Sequence, residues 1–446
     1  MTKIGLLSLG CSKNLIDSET MLGYLSQSDY ELTTDPQEAQ VLIVNTCGFI
    51  EAAKQESIDA ILEMAAYKKD GNCQALVVTG CLAQRYREEL RQELPEVDIL
   101  LGINEYEKLP ALLNRKFAPE MLLGPLQEKR ILATPDHYAY LRIADGCDNR
   151  CSFCAIPMIR GRYRSRKMEE ILVEAQDLAQ RGVKELIVIA QDTTRYGIDL
   201  YGERKLPELL RALCRLDFQW IRLLYAYPRD ITDALLDVIA TEEKLLKYLD
   251  IPLQHVDDML LKRMNRRSSI AELSSLYEKI HKCSSDFVLR STFITGFPGE
   301  TEEQHRRLMA FTREYPFNRV GVFCYSAEDG TPAAKFSNQV AREIAERRAG
   351  ELMAQQESIS QKLLEKRIGQ TYEVLVEAQE NDTDRYLGRS YGEAPEIDGV
   401  VCFTSARPLA IGDFVSVKIN GNHVHDLYGR TEEDTFLKRG KSYTAG

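Results

Sequence analysis

Short apolar runs, partly β-branched, recur near the start of the chain at Lys3 to Leu9, Val41 to Val44 and Ala75 to Val78. Helix-length amphipathic segments separate them, at Leu15 to Leu25 and Glu51 to Tyr67. Strand alternating with helix predicts a parallel sheet covered by helices. Asn114 to Asp136 mixes Pro, Lys, Glu and isolated apolar residues without a period, so it reads as a connector. From Tyr138 the alternation resumes, with strands expected at Tyr140 to Ala144, Leu186 to Ala190, Ile221 to Tyr225, Tyr248 to Ile251, Phe287 to Ile294 and Val320 to Tyr325. Helices are expected from Ser165 or Arg166 through Gln180, closed by Gly182, and at Pro207 to Leu216, Ile231 to Thr241 and Ile270 to Cys283. About six βα units in succession predict a full or partial (β/α) barrel. Asn338 to Ile368 reads as one long, charged, weakly amphipathic helix packing on that barrel. After Gly369 the period drops to two, in T-Y-E-V-L-V-E, G-V-V-C-F and F-V-S-V-K-I, which predicts a small antiparallel barrel of the oligonucleotide-binding kind. The fold class is therefore α/β in three parts: an open parallel sheet over 1–120, a (β/α) barrel over 133–366 and a small β-barrel over 369–437.

A chain of 446 residues is ample for three such parts. No apolar run approaches the ~20 residues that a membrane span requires, so no membrane partner is expected. M-T-K-I-G-L-L-S-L-G-C has the outline of a lipoprotein signal ending at Cys11, but its apolar stretch is short and broken by Gly5 and Gly10; a buried first strand explains it better. Eleven cysteines without an export signal point to a reducing, cytoplasmic setting. The net charge of −11 argues against a partner that is mainly phosphate backbone.

The chemistry centres on Asp145 to Pro157, D-G-C-D-N-R-C-S-F-C-A-I-P, where Cys147, Cys151 and Cys154 have C-x3-C-x2-C spacing. A disulfide framework would suit a short secreted chain, and a structural zinc site would want a fourth Cys or His close by, which is missing. Three thiolates can instead hold a [4Fe–4S] cluster and leave one iron open to another ligand. A second set follows the first three strands at matching offsets: Cys11 in S-L-G-C-S-K-N, Cys47 in N-T-C-G-F and Cys81 in T-G-C-L-A. All three are expected at the carboxyl edge of one sheet, where open α/β folds place ligands. In the barrel, the strand ends Gln191-Asp192-Thr193, Tyr225-Ala226-Tyr227-Pro228, Gln254-His255 and Tyr325-Ser326 are polar, and Thr292 to Thr301 carries glycines suited to close backbone approach. Together they read as the rim of a ligand cavity, with Thr301 and Gln304 forming a capping box.

Cys147, Cys151 and Cys154, with aromatic Phe153 before the last thiolate, resemble the signature of radical S-adenosylmethionine (SAM) enzymes. With the second cysteine set and the terminal barrel, nearly the whole chain resembles the methylthiotransferase family. The segments L-G-C-S-K-N-L-I-D-S-E, V-N-T-C-G-F-I, R-I-A-D-G-C-D-N-R-C-S-F-C-A-I-P, A-Q-D-T-T-R-Y-G and D-I-P-L-Q-H are most similar to the branch that modifies an aspartate of ribosomal protein S12. The resemblance implies two [4Fe–4S] clusters, an auxiliary one on Cys11, Cys47 and Cys81 and one on Cys147, Cys151 and Cys154 whose open iron chelates SAM. It implies that one SAM methylates sulfur attached to the auxiliary cluster, while a second gives a 5′-deoxyadenosyl radical that removes hydrogen from the β-carbon of the aspartate, which then takes the methylthio group. It implies further that Phe153, Gln191, Asp192, Gln254, Gly296 and Tyr325 contact SAM, and that the terminal module is a TRAM barrel. The expected partners are ribosomal protein S12, free or in the small subunit, and a low-potential donor such as flavodoxin or ferredoxin; nucleic acid is not expected as substrate, and the chain is expected to be a monomer. One departure stands out: Ala190-Gln191-Asp192 occupies the place where many radical SAM enzymes have Gly-Gly-Glu.

Two other readings fit the same motifs, a tRNA methylthiotransferase and a non-catalytic iron–sulfur sensor or electron carrier. Cys73, Cys214, Cys283, Cys324 and Cys402 match no ligand position and read as packing residues. From Gly369 to Arg430 ten acidic residues face five basic ones, which suggests an acidic surface that steers a basic protein. On that reading, reversing Glu393, Glu396 and Asp398 to lysine slows association with the ribosomal protein.

Overall fold

The computed structural model describes residues 2–28, 30–117, 129–380 and 383–432. The chain forms two compact units, and their division does not follow the linear order expected from the sequence. Residues 1–135, 144–164 and 326–335 make one unit; 136–143, 165–325 and 336–446 make the other. The cysteine segment that follows the first barrel strand is thus part of the amino-terminal unit.

In the first unit, β1 (Thr2–Ser8), β2 (Tyr30–Leu32), β3 (Val41–Thr46), β4 (Ala75–Gly80) and β5 (Ile99–Leu100) form a parallel sheet in the order β2-β1-β3-β4-β5. Every residue of β3 and β4 is buried, as strands covered on both faces require. Alternate residues divide between two cores. Val41 and Ile43 pack with Met21 and Leu25 of the helix Ser12–Leu25, while Leu42 and Val44 pack with Ile61 and Met64 of the helix Glu51–Asp70. Strand order reverses between β1 and β3, so a crevice opens at their carboxyl ends. The expected connector is partly helical, since Leu109–Phe117 is a helix; the rest of it to residue 128 lies outside the described residues. Its far end returns to the sheet unit, where Arg130 and the Ala133 N–H both donate to the Glu19 carboxylate.

In the second unit, parallel strands Tyr138–Arg142, Glu185–Ile189 and Trp220–Leu223 pair in chain order, as do Tyr248–Asp250, Val288–Thr295 and Arg319–Cys324. A parallel bridge from Ile221 to Leu245 joins the two sets. Among the described residues no pairing closes the first strand on the last, so the barrel is a partial one of six strands. The helix Arg342–Glu365 packs on the last two strands through Ala345, Arg348, Leu352, Gln356, Ser360 and Leu364, spaced three or four apart.

The terminal strands Thr371–Gln379, Arg385–Arg389, Val401–Thr404, Phe414–Asn422 and Leu427–Thr431 close into a barrel. It is not wholly antiparallel: the connection after Thr404 skips a neighbour, so the last strand closes against Val401–Thr404 in the same direction. Five of its ten acidic residues make docking contacts, and two of the three expected to steer a partner, Glu393 and Asp398, have buried side chains. Glu373 accepts from the Trp220 indole, Glu377 pairs with His137 and Arg389, Glu393 with Arg319 and Arg367, Glu396 with the Tyr138 hydroxyl, and Asp398 with Tyr248 and Arg290. Most of these partners stand at the first residue of a barrel strand or just ahead of it. The small barrel therefore sits at the amino ends, opposite the polar rim, and Glu393 and Asp398 are buried counter-charges with no face toward an incoming protein.

Candidate functional site

Each cysteine of the first set stands where a sheet strand gives way to its helix. Cys11 caps the helix Ser12–Leu25, Cys47 lies just beyond β3, and Cys81 opens the short helix Cys81–Arg85 after β4. Cys11 is exposed; Cys47 and Cys81 are buried. Gly10, at φ +90°, lies so close to Cys47 that a Cβ would stand 3.0 Å from its sulfur, so a glycine is required there. Asn14 knits the three strand ends together: its amide donates to the carbonyls of Leu9 at 3.1 Å and Thr46 at 2.8 Å, and its oxygen accepts from the Cys81 thiol at 3.3 Å. Burial pushes the Cys81 thiol up to about 12, against the pull of Arg160, and burial with neighbouring Cys11 also raises Cys47. Raised thiols of this kind favour the protonated form, and a metal or cluster that binds them displaces the proton.

Cys147, Cys151 and Cys154 are half-buried in a loop whose ends meet through the Cys147 N–H and the Gly161 carbonyl, 3.2 Å apart. Inside it the Cys154 N–H donates to the Cys151 carbonyl, and Arg150 takes a left-handed φ of 51°. The two sets belong to one packed region. Ala155 and Ile159, just after Cys154, form a buried cluster with Cys81. Arg160 reaches past them to Asn14 at 2.8 Å, Asp17 at 2.7 Å and Asp145 at 3.3 Å, with the Cys81 sulfur 3.7 Å away. Burial opposes that charge, yet Asp17 and Asp145 outweigh it and hold the guanidinium well above its ordinary pKa. Among the described residues, no three His, Cys, Asp or Glu side chains are gathered closely enough to hold a metal ion. The donor chemistry fits iron–sulfur clusters: all six thiols are free of disulfides and a buried cation stands by to offset thiolate charge.

The expected SAM-contacting residues fall in both units. Phe153 lies half-buried in the cysteine loop of the first. In the second, Gln191, Asp192, Gln254, Gly296 and Tyr325 lie at or just beyond the carboxyl ends of parallel strands. Asp192 is buried and caps the turn Thr193–Arg195, accepting from the Thr194 N–H and hydroxyl. Gly296, at φ +74°, leaves room for Ala345 of the long helix, since a Cβ would come within 2.3 Å of it, so packing alone already requires a glycine there. Tyr225 and Gln254 hold positive φ values of 61° and 71°, conformations that cost about 1–3 kcal/mol each and persist where surrounding structure enforces them. Gln254 is held by backbone bonds to Thr292 and Ile294, and the next residue, His255, belongs to a buried network. Glu300 accepts from the Gly296 N–H at 2.5 Å and Arg348 at 2.9 Å, with His255 at 3.4 Å. The Asp257 N–H donates to His255 Nδ1, which leaves the ring's other nitrogen to face Glu300. Burial raises the Glu300 carboxyl, and His255, the Gly296 N–H and Arg348 together bring it below its usual range.

Sequence reasoning passed over Asn14, Asp17, Arg160, Glu300 and Arg348. The available signal was polarity out of place: Asn14, Asp17, Ser18 and Glu19 lie within one helix and are all buried. Among the remaining cysteines Cys73 is buried as expected of a packing residue, whereas Cys283 is exposed at the carboxyl end of its helix.

Comparison with known proteins follows the same outline. Residues 3–102 match the family model described as uncharacterized protein family UPF0004, 141–312 the radical SAM superfamily and 368–431 the TRAM domain. Among solved structures, a radical SAM methyltransferase from Kitasatospora setae, TsrM, with cobalamin and a [4Fe–4S] cluster shares the fold at TM-score 0.51 and 14% identity, over 73% of this chain and 75% of that one. Fold, cysteine loop and family matches thus define a radical SAM protein built from an open sheet unit, a partial barrel and a TRAM barrel. Relatives named ribosomal protein uS12 methylthiotransferase RimO are 48% identical in Acetivibrio thermocellus, over 96% of this chain and 98% of theirs, and 49% identical in Desulforamulus reducens, over 96% and 99%. The chain belongs to the ribosomal protein uS12 methylthiotransferase family.

Proposed function

We propose that this chain transfers a methylthio group to the β-carbon of an aspartate of ribosomal protein uS12, and that it holds two [4Fe–4S] clusters to do so. The observation that carries this is the pair of three-cysteine sets within one compact unit, joined by Ala155, Ile159 and Arg160. Cys11, Cys47 and Cys81 would hold the auxiliary cluster, and Cys147, Cys151 and Cys154 the one that binds SAM. When bound, the clusters and SAM supply electrons, sulfur, a methyl group and a 5′-deoxyadenosyl radical.

The chain's own part is placement and exclusion. Three thiols in each set leave one iron of each cluster without a protein ligand. Asn14 fixes the strand ends that carry the first set, and burial of Cys47 and Cys81 keeps water from that side. In the second unit, the strained Tyr225, held by Asp250, and Gln254, held through Thr292 and Ile294, keep polar groups fixed at the barrel rim. A low-potential donor such as flavodoxin or ferredoxin supplies the electron, and the enzyme acts as a monomer in the cytoplasm. The domain boundaries proposed are 1–120, 133–366 and 369–437.

Anaerobically reconstituted protein should contain about eight irons, the sum of two four-iron clusters. Replacing Cys147, Cys151 and Cys154 by alanine should abolish 5′-deoxyadenosine, whereas replacing Cys11, Cys47 and Cys81 should leave SAM cleavage and remove the methylthio product from uS12, read by mass spectrometry. Normal product yield from the second variant, or methylthiolation of tRNA in place of uS12, would overturn the proposal.

A further inference from the structure

Arg160 is 2% exposed, and a buried guanidinium is costly unless its charge is used. The pocket around it does not need one for packing, since Ala155, Ile159 and Cys81 already form an apolar cluster. Its two carboxylates come from different cysteine loops: Asp17 lies six residues beyond Cys11, and Asp145 two residues before Cys147. Asn14 holds the same amino group as Asp17 does, and so aims it. That amino group has two N–H bonds for three acceptors, so the Cys81 sulfur, 3.7 Å away, takes the longer branch of a shared bond and lies beside the positive charge.

Resting on the two-cluster reading above, we infer that Arg160 is a positioning residue that links the two cysteine loops and sets the reduction potential of the auxiliary cluster by donating to the Cys81 sulfur. Hydrogen bonds and positive charge at a ligating sulfur stabilise the reduced cluster, which carries one more negative charge, and so raise its potential. The same contact fixes Cys81 relative to the segment after Cys154, so both consequences follow from one side chain.

The test uses the full chain with Cys147, Cys151 and Cys154 replaced by alanine, so that only the auxiliary cluster is loaded, and compares Arg160→Gln and Arg160→Lys with the parent. Iron content and a redox titration followed by electron paramagnetic resonance are the readouts. The Gln variant should keep its iron and titrate at lower potential, and the Lys variant, which retains charge and one donor, should fall between. In the complementary background lacking Cys11, Cys47 and Cys81, the remaining cluster should shift less, because Arg160 donates to none of its sulfurs directly. An unchanged potential with iron retained, an equal shift in both backgrounds, or loss of iron from the Gln and Lys variants alike would overturn the inference; the last would make Arg160 a brace only. A parent with no iron in the first background would instead remove the two-cluster reading on which the inference stands.

Discussion

Glu393 shows how a single carboxylate can stabilise an interface while being invisible as such in composition. It is 1% exposed, with Arg319 at 3.1 Å and Arg367 at 3.2 Å, and its second oxygen accepts from the Ser390 hydroxyl and N–H. Burial would raise its pKa, but Arg367 and Arg319 bring it below the ordinary 4.5. Glu185 and Glu377 are depressed for the same reason, burial being outweighed by Arg389 and Arg222 at the first and by His137 and Arg389 at the second. A carboxylate whose folded pKa lies below its unfolded value contributes stability that is present above about 4.5 and is lost as pH falls through the folded value. Resistance to denaturant should therefore fall as pH drops below that point. Glu393→Gln should be less stable near neutral pH and show a shallower acid slope, while Glu393→Ala should lose about 3–5 kcal/mol, the range for breaking a buried pair. A parent-like acid slope in Glu393→Gln would mean that the carboxylate carries none of this linkage.

Among the elements, the turn from β1 into the helix Ser12–Leu25 does most to shape the first cysteine set. Gly10→Ala places a methyl group 2.8 Å from the Cys47 Cβ on a backbone at φ +90°, so the strand end must move away from Cys47. The expected result is loss of about half of the eight irons, with SAM cleavage retained, measured by iron analysis and 5′-deoxyadenosine formation. Full iron in that variant would show that the turn can relax without disturbing the set. How much of this was legible in sequence depended on range. The strands, their order of appearance and the cysteine after each were readable because strand period and a fixed offset are local properties. Likewise, the capping box of Thr301 and Gln304 formed as its spacing indicated. What Asn14, Asp17 and Arg160 meet was not readable, because their partners are distant in the chain: Arg160 meets Asp17 across 143 residues and Cys81 across 79. The packing constraint on Gly296 was hidden for a related reason, since a positive-φ glycine suits a ligand and a helix equally, and only the fold brings Ala345 against it.

The whole second unit is organised so that its terminal barrel and (β/α) core stabilise each other, and the only tryptophan of the chain stands where the two meet. Trp220 donates its indole N–H to Glu373 at 3.2 Å and packs edge-on against Phe414 at 4.7 Å, both residues of the small barrel. Nearby, Glu185 of the core is fully buried between Arg222 and Arg389, one guanidinium from each side. Undocking the small barrel would leave Glu185 and Arg222 without Arg389 and the Tyr391 carbonyl, and leave Arg319, Arg290 and Tyr248 without Glu393 and Asp398. Losing several buried charge pairs at once, each offset only in part by rehydration, together with the packing of Trp220 on Phe414, makes a separately folded core with an undocked barrel a poorly populated state. Tryptophan fluorescence should consequently change together with the far-ultraviolet circular dichroism of the second unit during denaturation, as one cooperative step. A chain ended before Gly369 should in turn unfold at lower denaturant or fail to remain in solution. Fluorescence that changes at clearly lower denaturant than the loss of secondary structure would show the barrel detaching first, and the docking charges would then be worth less than their burial indicates.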